Sequence, residues 1–371
     1  MEKFRNLNIN SILNYINGYT SIKDGDSLKT FTEYEIGDLK LKNRIVMPPM
    51  CMYEADRDGM AKEFHRTHYA SRAIGGVGLI IVEATGVVPN GRISNHDLGI
   101  WSDEHIAGLK SIVDGVHSHG AKIAIQLAHA GRKCETDDDY IVAPSPIRHS
   151  NDYRDPKELS KEDIKNLSLS FQDASRRANE AGFDAIEIHA AHGYLIHEFL
   201  SPISNKREDE YGGSLENRVR FLQEIIDSVK QEWPREKPII VRVSADDYVD
   251  GGIDKEEMAS IINQVKDSID MVHVSTGALV DRKIDIYPGY QIPHAELIKK
   301  KCNIPTITVG IITSYNQSEE ILHNGRADLV AFGRALLRDP YLALNMAYEN
   351  DIDIGYPKPY LRGFDMPKAF V

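Results

Sequence analysis

The stretch SKEDIKNLSLSFQDASRRANEAGFDAIEIHAAHGY, residues 160–194, holds one whole helix-to-strand unit followed by a cluster of polar side chains. Ser160 and Asp163 stand at capping-box spacing, where each side chain satisfies the other's backbone N–H. Ile164, Leu167, Phe171, Ala174 and Ala178 recur at helical intervals, and Gly182 supplies the stop. A short strand, Ala185–His189, follows at once. It delivers His189, His192 and Tyr194 just past its carboxyl end.

The same unit repeats outward in both directions. Strand candidates are Arg44–Pro48, Gly78–Glu83, Lys122–Leu127, Ala185–His189, Ile239–Ser244, Met271–Ser275, Thr306–Gly310 and Asp328–Gly333. Most read as continuous apolar runs, the pattern of strands covered on both faces. Each of the first seven precedes a helical pattern. Eight such units predict an α/β chain folded as a single (β/α)8 barrel over 31–350. A doubly wound open sheet is the competing architecture, but no Gly-x-Gly-x-x-Gly turn follows the first strand. Phe31–Leu41 alternates around Gly37-Asp38 and predicts a hairpin closing the barrel floor. Residues 1–30 form an Asn-rich extension in which Ile9, Ile12, Leu13 and Ile16 fit one or two amphipathic turns. Residues 351–371 form a C-terminal arm rich in Pro, Gly and aromatics.

Bulk composition narrows the partners. Among 371 residues, 44 Lys and Arg face 56 Asp and Glu, a net charge of −12. Phosphate-rich nucleic acid and anionic membranes need basic surfaces, so neither is expected as a partner. No apolar run has the length of a membrane span or a signal peptide. Cys51, Cys134 and Cys302 are too scattered for a disulfide framework or a four-cysteine metal site. A cytoplasmic, soluble protein is the expectation.

In such barrels, chemistry sits at the carboxyl ends of the strands. Pro49, Met50, Cys51 and Tyr53 follow strand one, Ala84 strand two, and Gln126 lies on strand three. Arg242 lies on strand five, and Gly310, Gly333 and Arg334 end strands seven and eight. Glycines beside an arginine at that corner suit a phosphate, because bare N–H groups and a guanidinium both approach its oxygens. Arg242, inside an apolar strand, requires a partner. An anionic ligand would supply one, as would Glu187 or Asp246. His189 and His192 admit two readings: zinc ligands, for which a third protein ligand is missing nearby, or neutral hydrogen-bond donors beside a phenol acid. No metal is expected.

Five segments carry a family resemblance. Asn43–Tyr53 (NRIVMPPMCMY), Ile125–Lys133 (IQLAHAGRK), Ile188–Pro202 (IHAAHGYLIHEFLSP), Tyr211–Arg218 (YGGSLENR) and Phe332–Pro340 (FGRALLRDP) resemble the old yellow enzymes. The likeness is greatest to the thermophilic-like bacterial NADPH dehydrogenases, and it runs from about Phe31 to Phe364. It implies tightly bound FMN, with NADPH or NADH as a transient hydride donor. Gln126 and Arg242 would then hold the pyrimidine side of the flavin. Pro49, Met50 and Ala84 would line its ring, and Cys51 would tune its potential. Gly310, Gly333 and Arg334 would hold its phosphate. His189 and His192 would bind the oxygen of an α,β-unsaturated carbonyl or nitro substrate, with Tyr53 shaping the pocket. By ping-pong hydride transfer through flavin N5, the alkene would be reduced, with Tyr194 as proton donor. Arg362 would enter a neighbouring subunit's site in a homodimer or homotetramer. Asp137–Lys157, after strand three, would form a lid. The extension has no counterpart in the family.

Rival functions fit less well. A dienoyl-CoA reductase or amine dehydrogenase would need a cysteine-rich cluster loop and extra domains. A tRNA dihydrouridine synthase would need a basic face. A phosphosugar isomerase or a non-catalytic binding barrel leaves Gln126 and the His–Tyr cluster unexplained.

Overall fold

The computed structural model describes residues 28–364. The amphipathic turns expected around Ile9–Ile16 and the tail past Phe364 lie outside the described residues. β1 (Tyr34–Ile36) and β2 (Leu39–Leu41) form the hairpin, pairing Tyr34 with Leu41 and Ile36 with Leu39. Its two-residue turn needs positive φ, which Gly37 adopts at 55°.

Helices and strands then alternate. β3 (Ile45–Met47) leads to α1 (Glu63–Ile74), β4 (Leu79–Gly86) to α2 (His105–His117), and β5 (Lys122–Ala128) to α3 (Lys161–Ala181). Between β5 and α3, the short strands β6 (Val142–Ala143) and β7 (Lys157–Glu158) pair in parallel across the loop expected to be a lid. Next come β8 (Ala185–Ala190), α4 (Leu195–Leu200) and α5 (Leu215–Glu232), then β9 (Ile239–Ser244) and α6 (Lys255–Val265). β10 (Met271–Ser275), α7 (Ile292–Cys302), β11 (Thr306–Thr308), α8 (Tyr315–His323) and β12 (Leu329–Ala331) complete the eight units. α9 (Arg334–Arg338), α10 (Leu342–Glu349) and α11 (Leu361–Phe364) follow.

The eight long-range strands close in the order β3–β4–β5–β8–β9–β10–β11–β12 and back to β3, every pair parallel. The (β/α)8 barrel is thus as expected. β5 and β8 each run one residue further than the sequence suggests, and β4 three. β4 continues past Glu83 to Gly86 through a register shift between Val82 and Ala84. A bulge lets Glu83 leave the strand's regular alternation while pairing resumes beyond it.

α3 shows why these residues make these elements. Ser160 Oγ accepts from Asp163 N at 3.1 Å, and Asp163 Oδ2 accepts from Ser160 N at 3.0 Å. Gly182 ends the helix at φ 93°. Ile164, Phe171, Ala174 and Ala178 are buried against the barrel's outer face. Emptying the Phe171 position would cost about 3–5 kcal/mol.

Inside the barrel, Val46, Leu79, Ile81, Ala124, Ala185, Ile240, Met271, Ile307 and Leu329 pack onto Ile36, Leu39 and Leu41 of the hairpin. This apolar layer plugs the amino-terminal end. One pleat further along the same strands, the inward positions become Gln126, Glu187, Arg242 and His273. That change from apolar to polar marks the functional end.

Candidate active site

Register brings the expected residues together. Ala84 stands opposite Gln126 and Gln126 opposite Glu187. His189 stands opposite Arg242, and Arg242 opposite His273. Gln126 Nε2 donates to Glu187 Oε1 at 2.7 Å, and His273 Nδ1 lies 2.7 Å from Glu187 Oε2. Both carboxylate oxygens are therefore engaged. Asp246 is drawn to Tyr248 N, 2.7 Å, and towards His294, 3.4 Å.

Neither acid pairs with Arg242. Its only hydrogen bond among the described residues runs from Nη1 to the Pro49 carbonyl at 3.5 Å, and its buried Nε has no partner. Leaving a guanidinium buried with donors to spare is costly unless a ligand completes it. The open question from the sequence is answered by geometry: Glu187 and Asp246 are both spoken for.

The His-Tyr cluster lies on the turn between β8 and α4. His192 at φ 57° and Gly193 at φ 70° reverse the chain there. A side chain on Gly193 would lie 2.4 Å from the Ala278 carbonyl, so the turn needs glycine. His189 meets His192 edge-on at 5.3 Å between ring centroids, and Tyr194 at 4.9 Å. His189 Nδ1 accepts from Ala191 N at 3.3 Å, which leaves the proton of a neutral ring on Nε2. His192 Nε2 lies 2.8 Å from Ser275 Oγ. Among the described residues, His189 Nε2 and His192 Nδ1 make no hydrogen bond. Burial first, then the Arg242 charge, holds both imidazoles well below the ordinary histidine range. Burial likewise pushes the Tyr194 phenol well above its ordinary value, so it keeps its proton. Lys133 Nζ stands 5.0 Å from the Tyr194 ring centre and donates to the His192 carbonyl at 3.0 Å.

Cys51 is a free, partly exposed thiol whose ionisation burial opposes. Tyr53, at φ 56°, is half exposed. Met50 and Gly333 are neighbours, since a side chain on Gly333 would lie 3.7 Å from Met50 Sδ.

The corner beyond β11 and β12 holds a cavity of about 420 Å³, lined in part by Arg242, Gly310, Gly333 and Arg334. Gly310 has φ 122°, and a side chain there would press on Gln291. Arg334 and Arg338 make no ion pair among the described residues, although both line this space. Arg362 is exposed on α11, on an arm held by Tyr341–Tyr360 and Tyr356–Phe364 contacts, and does not line this cavity.

Comparison with known proteins decides the class. Residues 29–351 match the NADH:flavin oxidoreductase / NADH oxidase family. An NADPH dehydrogenase from Clostridium acetobutylicum is 57% identical over 339 residues, 91% of this chain and 100% of that one. The chain belongs to this flavin oxidoreductase family, the family of the old yellow enzymes. Among solved structures, morphinone reductase in complex with tetrahydroNAD superposes at a TM-score of 0.74 with 28% identity, covering 87% of this chain and 92% of that one. An old yellow enzyme homologue from Zymomonas mobilis superposes at 0.74 with 29% identity, covering 88% and 93%.

The residues present suit a flavin nucleotide. Among the described residues, Arg242 carries an unpartnered buried N–H, Gln126 has its amide pinned by Glu187, and the glycine corner offers two arginines without an ion pair. Sequence reading missed Arg338, Ser275 and Gln291. Arg338 was detectable as the i+4 neighbour of Arg334 on one helix face. Ser275 and Gln291 carry no local signal and meet only across the fold. No helix among the described residues is long and apolar enough to cross a membrane, and no group of three or more His, Cys, Asp or Glu is placed to hold a metal ion.

Proposed function

We propose that this enzyme holds FMN and uses NAD(P)H to reduce the activated C=C bond of α,β-unsaturated carbonyl or nitro compounds. One observation carries the reading. Among the described residues, His189 and His192 each present one uncommitted ring nitrogen, His189 packs against the protonated Tyr194, and His192 also lines the cavity that Arg242 and the glycine corner share.

Gln126 and Arg242 would bind the flavin's pyrimidine edge, with Pro49, Met50, Cys51 and Ala84 lining the ring. Gly310, Gly333, Arg334 and also Arg338 would hold its phosphate. When bound, FMN would supply a two-electron hydride carrier between NAD(P)H and the alkene. His189 and His192 hold the carbonyl or nitro oxygen between two N–H groups, drawing electron density from the β carbon. Neutral rings suit this task, because they donate without giving up a proton. Tyr194 O–H passes its proton to the α carbon and regains one from water. Removing one His donor is expected to slow alkene reduction on the order of 10²–10³-fold. Tyr53 and Cys51 shape the substrate's side of the pocket, and the loop between β6 and β7 covers it. Arg362, exposed and far along the arm, is proposed to enter the site of a second copy in a homodimer or homotetramer.

The test separates two half-reactions in stopped flow. Tyr194→Phe should leave flavin bleaching by NADPH near the wild-type rate and slow reoxidation by an enone at least tenfold. Equal slowing of both steps would make Tyr194 structural and sink the acid assignment. A purified protein without flavin absorbance, unchanged on adding FMN, would overturn the whole reading.

A further inference from the structure

His192 is bonded on two sides to strands it does not belong to. Its backbone N–H donates to Ser244 Oγ at 2.9 Å, and its Nε2 lies 2.8 Å from Ser275 Oγ. Ser275 is the last residue of β10 and is buried. Its hydroxyl also receives Gln291 Nε2 at 3.2 Å, and the same nitrogen reaches Thr276 Oγ1 at 2.9 Å. Gln291 is buried just ahead of α7, with its side chain against Gly310 in the phosphate corner.

The polarity of this chain follows from what each group has to give. The Gln291 amide nitrogen only donates, and its two hydrogens serve the two hydroxyls. Ser275 Oγ therefore accepts from Gln291 and has one proton left. Its only other hydrogen-bond partner among the described residues is His192 Nε2. If His192 donated instead, the Ser275 proton would be buried without an acceptor, at a cost of about 1–3 kcal/mol. A neutral imidazole that accepts through Nε2 carries its proton on Nδ1. His189 is set the opposite way, by the Ala191 N–H on its Nδ1.

We infer that Gln291 and Ser275 form a relay that fixes His192 as the Nδ1–H tautomer, so that its one free N–H faces the substrate oxygen. Both are positioning residues, acting through His192. The substrate side of this inference rests on the proposed role of His192; the tautomer does not. A flexible ring would otherwise divide its proton between two nitrogens, and half the molecules would offer the substrate a lone pair. A lone pair facing a carbonyl or nitro oxygen repels it. The relay also accounts for two buried polar side chains at the junction of the phosphate corner and the His pair.

Nitrogen NMR on FMN-loaded protein with ¹⁵N-labelled histidine reads the tautomer directly, since protonated and bare ring nitrogens resonate far apart. The His192 signals are assigned by their loss in His192→Gln. Wild type is expected to show Nδ1 protonated and Nε2 bare. Ser275→Ala should move the proton wholly or partly to Nε2, and Ser275→Thr, which keeps the hydroxyl, should restore the wild-type pattern. Enone reoxidation, compared at saturating FMN, should fall about tenfold or more in Ser275→Ala and recover in Ser275→Thr. Should Ser275→Ala fail to fold, Gln291→Met, which frees the Ser275 hydroxyl to turn, should give a mixed tautomer. Wild-type His192 protonated on Nε2, or one tautomer common to wild type, Ser275→Ala and Gln291→Met, would overturn the relay. Enone reduction absent from wild type, with the tautomer as expected, would instead overturn the proposed reaction and leave the relay standing.

Discussion

Gly193 N–H donates to His197 Nδ1 at 2.9 Å, so the turn that presents His192 and Tyr194 is tied to the helix that follows it. His197 Nε2 in turn lies 3.0 Å from Asp247 Oδ1, both side chains fully buried. Asp247 Oδ2 collects Ser201 Oγ at 2.7 Å and Ile253 N at 2.9 Å. The geometry of the His-Tyr cluster is thus anchored two layers away, beyond β9.

Removing that anchor should cost both stability and activity. Asp247→Ala leaves Ser201 Oγ and the Ile253 N–H without their acceptor and removes the carboxylate beside His197, and is expected to lower the unfolding free energy by about 3 kcal/mol. Asp247→Asn keeps an acceptor oxygen and should lose less. Urea denaturation of the two variants checks the order, and a loss below about 1 kcal/mol for Asp247→Ala would count against the anchor.

Arg242 should behave in the opposite way in the protein without flavin. Among the described residues, its buried guanidinium makes one long hydrogen bond and no ion pair. Arg242→Met is therefore expected to leave apo-protein stability unchanged or raised, while weakening FMN binding about tenfold or more, the value of a charged hydrogen bond. Thermal scans of apo-protein, with an FMN fluorescence titration, separate the two effects. A less stable apo-protein with normal FMN affinity would make Arg242 a structural residue.

Glu83, on the β4 bulge, gives a pH signature. Burial pushes its carboxyl up to about 7, even though Met52 N and the Tyr69 hydroxyl donate to it. With a folded value above the ordinary 4.5, the neutral form is the one the fold prefers. Its contribution is full below about 4.5 and is lost as pH rises through 7. Relative to Glu83→Gln, wild type should lose about 3 kcal/mol of stability across that window. Unfolding curves for both proteins between pH 4 and 8, on the order of half-unit steps, give the difference directly. A difference that stays flat, or grows as pH falls, would contradict the assignment. Glu198, also pushed up by burial to about 8, acts with the same sign in both proteins and cancels.

Arg362→Ala should raise KM for the alkene or weaken self-association, without changing FMN affinity. Sedimentation velocity and steady-state kinetics on the same preparation would show it. No movement in either would remove Arg362 from the site.

Much of this was legible along the chain because it is periodic or local. The capping box at Ser160, the hairpin at Gly37-Asp38 and the eight apolar runs each announce themselves within a dozen residues. Strand ends place His189, Tyr194, Gln126 and the glycine corner at one face of a barrel, since parallel strands all point one way. What the linear sequence left open was every relation between strands. Whether Arg242 met Glu187, Asp246 or a ligand depended on which donors reached those carboxylates first, and Gln126, His273 and Tyr248 did. The length of β4 was misjudged because a bulge has no signature apart from the partner strand it shifts against. Ser275 and Gln291 became visible only when β10 and the start of α7 brought them beside His192. Periodicity sets the fold through the burial of each element's own face, which is a property of neighbours in sequence. Hydrogen-bond polarity and unpaired charge are properties of neighbours in space, and closing the barrel decided them.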